Sequence, residues 1–406
     1  MLEIGLLSTL KGPYKIPGED GVRGAKLALQ EHGYKAGGQE IDLKVEATNA
    51  LASSAHDACR KLIDENVKLI VGPLSGDEAV AVRDLAKNHP GHTFVNGAAG
   101  SQPMFNPTDN FFMFNATGAQ VLSGLGKYCF EQRGYRRVAT IGEAYSFPFA
   151  QIGGFALDYV ESGGEISKFI WCALGTQDYT QHIADIPDDV DAVFSSLGGT
   201  DGIHFLQQFR EQRGDIPLIA GSIFADQSLL VAVSEHATLL NGVVSASCHA
   251  DDIDTESWKN FVEQYRKSYP DDGFYSPSYF SLMYYVNMKA TLLALDKVSG
   301  DVSKVQEALR TLKFEAPVGT IKLDHHRVAI VDTFVNEIRQ TENGELYTHT
   351  LQRVEKTNCT FGMPDDKYLE IGNFGAHRMP GMQTNEKLSF EDIIKQARER
   401  GKKKNQ

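Results

Sequence analysis

The sequence predicts an α/β chain folded into two doubly wound parallel-sheet lobes. Three observations lead there. A chain of 406 residues has room for two or three domains at roughly 150 residues each. Its composition, 42% hydrophobic and 23% charged, is that of an ordinary globular protein with enough apolar material for full-sized cores. Short apolar strands alternate with amphipathic helices, and the alternating series begins twice.

The first series opens at once, with Glu3 to Ser8 as an apolar strand. Glu19 to His32 reads as a helix, because Val22, Ala25, Ala28 and Leu29 fall on one face and Gly33 stops it. Ile41 to Ala47 alternates, placing Leu43, Val45 and Ala47 on one side of a strand. Ser54 through Glu65 is expected to be helical, with Ser54 and Asp57 spaced as a capping box. Lys68 to Val71, ended by Gly72-Pro73, and Thr93 to Asn96 are buried strands. The second series has strands at Arg137 to Gly142, Ile166 to Trp171, Ala192 to Ser195 and Pro217 to Ala220, with helices at Phe149 to Glu161 and Phe205 to Arg213. A late helix, Ser278 to Lys297, carries a core stripe of Phe280, Tyr284, Met288, Leu292 and Leu295. The basic end, with Arg398, Arg400 and Lys402 to Lys404, reads as a solvated, frayed tail.

Charge and motifs exclude several functions. A net charge of −13 argues against nucleic acid and against anionic lipid, and suits a soluble protein that stays monomeric. No apolar run approaches the ~20 residues needed to span a bilayer. The first residues lack the basic start and apolar stretch of an export signal. Cys59, Cys129, Cys172, Cys248 and Cys359 lie far apart with no CxxC, so neither a zinc nor a redox site is expected. Nucleophile-elbow, zincin, phosphate-loop and dinucleotide fingerprints are absent, so no catalytic residue and no cofactor is expected. His325-His326 are adjacent, which should point their rings apart, and Asp251-Asp252-Ile253-Asp254 reads as a solvated turn.

The chemistry concentrates in loops after strands. Open α/β sheets bind ligands beyond the carboxyl ends of their strands. Here those loops are rich in small residues: Ser8 to Tyr14, Gly72 to Glu78, and Gly97-Ala98-Ala99-Gly100-Ser101. Amides at Gly76, Asp77 and Gly100, with the Ser75 and Ser101 hydroxyls, suit an anion at a helix start. Tight βα turns would carry the same residues.

These loops, in this order, resemble the type I periplasmic solute-binding proteins of ABC importers, the branched-chain amino-acid (Leu/Ile/Val) type. The resemblance runs from Ile4 to about Ile338. It rests on Gly12-Pro13-Tyr14, Gly24-Ala25-Lys26-Leu27-Ala28, Ile70 to Ser75, Ala98-Ala99, Phe111 to Phe114, Val138 to Ile141, Tyr145-Ser146-Phe147, Gly154-Phe155 and Gly319-Thr320-Ile321. It implies two lobes joined by three crossovers that close on a ligand by hinge motion. Lobe one would be 1–118 plus 249–326, lobe two 119–248 plus 327–360, and 361–406 an extension. It implies an exported receptor in mature form, working with a membrane permease.

Carried over by motif, the lobe-one contacts are Tyr14, Leu74, Ser75, Gly76, Ala98, Ala99 and Gly100; those of lobe two are Tyr145, Phe147, Leu197, Gly199, Ile223 and Phe224. Pro148 stands where the family usually has Gly. Amino-acid receptors place a carboxylate in the last loop to pair with the ligand ammonium, whereas this chain has Gly221-Ser222-Ile223-Phe224-Ala225. A buried ammonium without a partner costs several kcal/mol. The expected ligand is therefore an aromatic or apolar organic acid. The alternative, a hydrophobic amino acid, would need Asp201 or Asp226 as partner. A ligand-sensing domain or an enzyme on the same fold are further alternatives.

Overall fold

The computed structural model describes residues 1–101, 108–214, 216–271, 274–371 and 390–404. The chain forms two compact units, Met1–Ala116 with Ile253–Val331 and Thr117–Asp252 with Asp332–Gln406, and passes between them three times.

The first unit contains strands β1 (Leu2–Thr9), β2 (Lys35–Ala36), β3 (Gln39–Thr48), β4 (Leu69–Val71), β5 (Thr93–Val95) and β6 (Phe111–Phe112). Their order is β2-β3-β1-β4-β5-β6, parallel except for the β2–β3 pair. Two helices, Lys15–Glu31 and Tyr279–Lys297, pack together although distant in sequence. Their contact is built on glycine: a Cβ at Gly24 would lie 1.9 Å from the Ser281 carbonyl oxygen. Tyr284, fully buried beneath them, donates to the Leu7 carbonyl at 2.7 Å. Phe280, Met288, Leu292 and Leu295 are buried with it, as their helical spacing predicts.

The second unit contains β7 (Arg137–Glu143), β8 (Glu165–Cys172), β9 (Ala192–Ser196), β10 (Leu218–Ala220) and β11 (Val244–Ser247). The chain then makes a hairpin in the first unit, β12 (Lys313–Ala316) with β13 (Gly319–Leu323). β14 (Ala329–Gln340) begins there and continues into the second unit, followed by β15 (Leu346–Thr357). The second unit's sheet runs β8-β7-β9-β10-β11 in parallel, with β14 antiparallel on β11 and β15 against β14. Ile141, Val193, Phe205, Phe209 and Phe224 belong to its core, and Phe155 stacks on Phe194 with centroids 4.5 Å apart.

Several expectations are corrected. The helix Ala52–Asp64 starts earlier than expected, and its N-cap position is Leu51, so Ser54 and Asp57 make no capping box. The S-x-x-E pair that does is Ser75 with Glu78. Val45, expected on the buried side of its strand, is 37% exposed. β2 pairs with β3 at Gln39 and Glu40. The acidic turn is solvated only at its end, where Asp254 is exposed. Asp251 is buried, accepting from the Gln227 amide at 2.8 Å and the Thr348 N–H at 2.7 Å, while Asp252 accepts from Thr350. These bonds tie the turn to β15. The His325 and His326 rings lie 3.9 Å apart instead of diverging, because both sit in the tight turn ahead of β14.

The basic end is a helix, Phe390–Lys404, packed on the helix Ser146–Glu161. Ala397 is fully buried, a Cβ at Gly401 would meet the Glu161 carbonyl oxygen at 2.4 Å, and Arg400 Nε pairs with the Glu161 carboxylate at 2.5 Å. Small residues on one face permit that close approach. Lys402 and Lys403 are exposed.

Candidate functional site

The carboxyl ends of β1, β4 and β5 bring Thr9, Ser75 and the Gly97–Ser101 loop to one end of the first unit's sheet. Glu78, fully buried, ties the end of β1 and the segment after β3 to the loop after β4. Its carboxylate accepts from Thr9 Oγ1 at 3.0 Å, the Ser75 N–H at 3.2 Å and the Ala50 N–H at 2.9 Å. Burial pushes its pKa above the usual carboxylate range, against the pull of those hydrogen bonds. The Ser75 hydroxyl donates to the Ala50 carbonyl at 3.2 Å, so its proton is already engaged. Gly76 and Asp77 form the first turn of the helix Gly76–Ala86, and Leu74 and Tyr14 are buried beside their loops.

Three asparagines fix the loop after β5. Asn96 Nδ2 donates to the Ala99 carbonyl at 2.6 Å and to Asn115 Oδ1 at 2.9 Å. Asn115 Nδ2 reaches the same Ala99 carbonyl at 3.0 Å. Asn287, from the long buried helix, donates to the Gly97 carbonyl at 2.9 Å. Ala98, Ala99 and Gly100 are thereby held with their side chains too small to block the backbone. Ser101 Oγ and Asn96 Oδ1 are buried and have no hydrogen-bond partner among the described residues. A buried polar atom without a partner is costly, and a ligand group is one way to relieve it.

In the second unit the corresponding sheet end is organised by Gln151. Its Nε2 donates to Ser222 Oγ at 2.7 Å and to the Gly118 carbonyl at 3.3 Å. Its Oε1 accepts from the Ser222 N–H at 3.1 Å and from Ser196 Oγ at 3.4 Å. Tyr145 is the N-cap residue of the helix Ser146–Glu161 and is half-buried; Phe147 and Pro148 lie in its first turn. Proline is tolerated there because the first-turn amides have no partner within the helix, so its arrival in place of Gly leaves the backbone regular. Gly199 opens the helix Gly199–Arg213 at φ +52°, a conformation that favours glycine. Ile223 is 3% exposed. Leu197 and Phe224 belong to the unit's core, where the Phe224 ring meets Phe205 edge-on at 6.3 Å. That packing commits the Phe224 ring to the core.

The three carboxylates at this sheet end are engaged locally. Asp226 caps the helix Gln227–Leu230, accepting from the Ser228 N–H at 3.0 Å and its hydroxyl at 2.5 Å. Asp201 accepts from the Gly175 N–H at 2.6 Å, and burial raises its pKa. Glu143, fully buried at the end of β7, accepts from the Gly198 N–H at 3.2 Å. Sequence reasoning missed Glu78, Gln151 and the asparagines. The S-x-x-E spacing at Ser75, and an asparagine inside an otherwise apolar helix at Asn287, were the available signals.

A family model described as "Periplasmic binding protein" matches residues 2–343. The chain is 22% identical over 366 residues to "Leu/Ile/Val-binding protein homolog 6" of Brucella melitensis, covering 88% of this chain and 92% of that protein. Among solved structures, an ABC transporter substrate-binding protein from Sphaerobacter thermophilus matches with a TM-score of 0.79 at 26% identity, covering 88% of this chain and 98% of the other. A solute-binding protein of an ABC transporter from Rhodopseudomonas palustris BisB5, in complex with 3,4-dihydroxybenzoic acid, matches with a TM-score of 0.80 at 22% identity and the same coverage.

Proposed function

The chain belongs to the periplasmic binding protein family, and from that premise we propose that it is the extracytoplasmic solute receptor of an ABC importer, non-catalytic and monomeric, whose ligand is a small aromatic or otherwise apolar organic acid. Among the described residues, no helix is long and apolar enough to cross a membrane. The observation that carries the ligand class is the state of the carboxylates in the second unit. Asp226, Asp201 and Glu143 each hold a local backbone amide, and the loop after β10 offers Ser222 and Ile223. An ammonium group entering there would have to share one of these carboxylates with the amide it already holds. The dihydroxybenzoate carried by the Rhodopseudomonas neighbour supports the same reading.

On the acid side, the ligand carboxylate is assigned to Ser101 Oγ and the amides near Gly76, Asp77 and Gly100. Ser75 is left to hold the loop. Tyr145, Phe147 and Ile223 would form the apolar walls, as the base pattern of ligand sites has it. The Brucella relative's name favours a second reading, a hydrophobic amino acid. A thermal-shift and calorimetry panel separates the two. Benzoate, hydroxybenzoates and coumarate should raise the melting temperature, with about 2.7 kcal/mol of stabilisation at a hundred times Kd. Ser101→Ala should weaken acid binding by about 1–3 kcal/mol through loss of a hydrogen bond to a charged group. Shifts with leucine, isoleucine, valine or phenylalanine, and none with the acids, would overturn the acid reading.

A further inference from the structure

A second polar pocket lies in the first unit, lined by Arg83, Thr108, His326 and Arg327, with Phe111 and Met113 as walls. It is a small recess that opens to solvent. Arg83 projects from the last turn of the helix Gly76–Ala86 and is only 4% exposed. Its Nη2 meets Asp84 at 3.3 Å, but Nε and Nη1 are buried with no hydrogen-bond partner among the described residues. The same holds for Arg327 Nε and Thr108 Oγ1. Arg327 is held at the pocket by main-chain bonds: its carbonyl accepts from the Met113 N–H at 3.0 Å and its own N–H donates to Asp324 at 3.0 Å.

The guanidiniums of Arg83, Arg310 and Arg327 stand near the carboxylates of Asp84, Asp109 and Asp324. Arg327 reaches Asp109 at 3.7 Å, and that aspartate is 84% exposed, so water screens it. Asp84 is likewise more than half exposed. Arg310 stands close enough to repel Arg327, and burial holds the Arg327 pKa below its usual value. A buried guanidinium with unsatisfied N–H groups is unfavourable unless an anion meets it. Three N–H bonds of Arg83, one of Arg327 and one hydroxyl are thus left unpaired on residues that line one recess, a donor set that matches the acceptors of a four-oxygen anion.

We propose that this pocket, formed by Arg83, Arg327 and Thr108, is a binding site for a small tetrahedral oxyanion of the phosphate or sulfate class, separate from the loops at the carboxyl ends of the strands. Inorganic phosphate and sulfate are the probes, titrated calorimetrically into the full chain in a buffer free of both, with chloride holding ionic strength constant. Saturable binding should appear and weaken at least tenfold in Arg83→Met and in Arg327→Met, while Lys402→Met, on the terminal helix of the second unit, binds as the parent does. Arg327 lies in a turn between strands, so its variant keeps the test open where Arg83→Met fails to fold. No saturable binding to the parent, unchanged binding in Arg327→Met, or binding of acetate without phosphate or sulfate would each overturn the assignment.

Discussion

Glu78 shows how one residue can set the shape of a ligand loop. It is a fully buried carboxylate whose three donors come from the end of β1, the segment after β3 and the loop after β4. Burial raises its folded pKa, so the native state takes up its proton at higher pH than the unfolded chain does. The stabilising contribution is thus full below the unfolded value, near 4.3 for a model glutamate, and is lost as pH rises through the raised folded value. Glu78→Gln keeps the shape and removes the titration. Stability of the parent relative to this variant should grow as pH falls from neutrality and level off near pH 4 in parallel denaturant titrations. Superimposable pH profiles would refute a titrating Glu78. At this scale the sequence was only partly legible. Tyr14, Leu74, Ser75 and the Ala98-Ala99-Gly100 run stood out by residue type and lie on sheet-end loops. Whether Phe224 faces a ligand or the core depends on Phe205, a residue whose position no local pattern supplies.

Among elements, those with strong periodicity were read within a few residues. The helix Tyr279–Lys297 and the strands β1, β7 and β9 were visible because burial on one or both faces imposes its spacing on the sequence. The terminal helix was not, because its docking face is made of Ala397 and Gly401, small residues that register as neither core nor surface. The acidic turn was misread for the opposite reason: the charges of Asp251 and Asp252 are satisfied by β15, about a hundred residues on. Gly401→Leu tests the terminal helix. The added side chain would meet the Glu161 backbone, costing about 1–3 kcal/mol as overpacking does. The helix should undock while the rest of the fold persists, so limited proteolysis should trim the variant near its carboxyl end and leave the parent intact. Equal trimming would mean that the helix contributes no protection.

For the whole molecule, all five cysteines are buried, with burial pushing the Cys59 and Cys248 thiols up to about 12. Thiolate is the reactive form, so an aromatic disulfide reagent at pH 8 should label none in minutes and all five after denaturation. Rapid labelling of one native thiol would reveal local opening at its position. The two-unit architecture was legible because the strand–helix series starts twice, but the pairing of segments within each unit was not written in local pattern. The partners Lys15–Glu31 and Tyr279–Lys297 illustrate the distance, with Tyr279 lying 248 positions after Glu31. Ribosomes add roughly 5–20 residues per second, so about 12–50 s pass between the emergence of the first helix and that of its mate. Throughout that interval the face carrying Gly21 and Gly24 lacks its cover. The nascent amino-terminal half must therefore wait unfinished, in a state that a chaperone can hold or a translocation machine can thread.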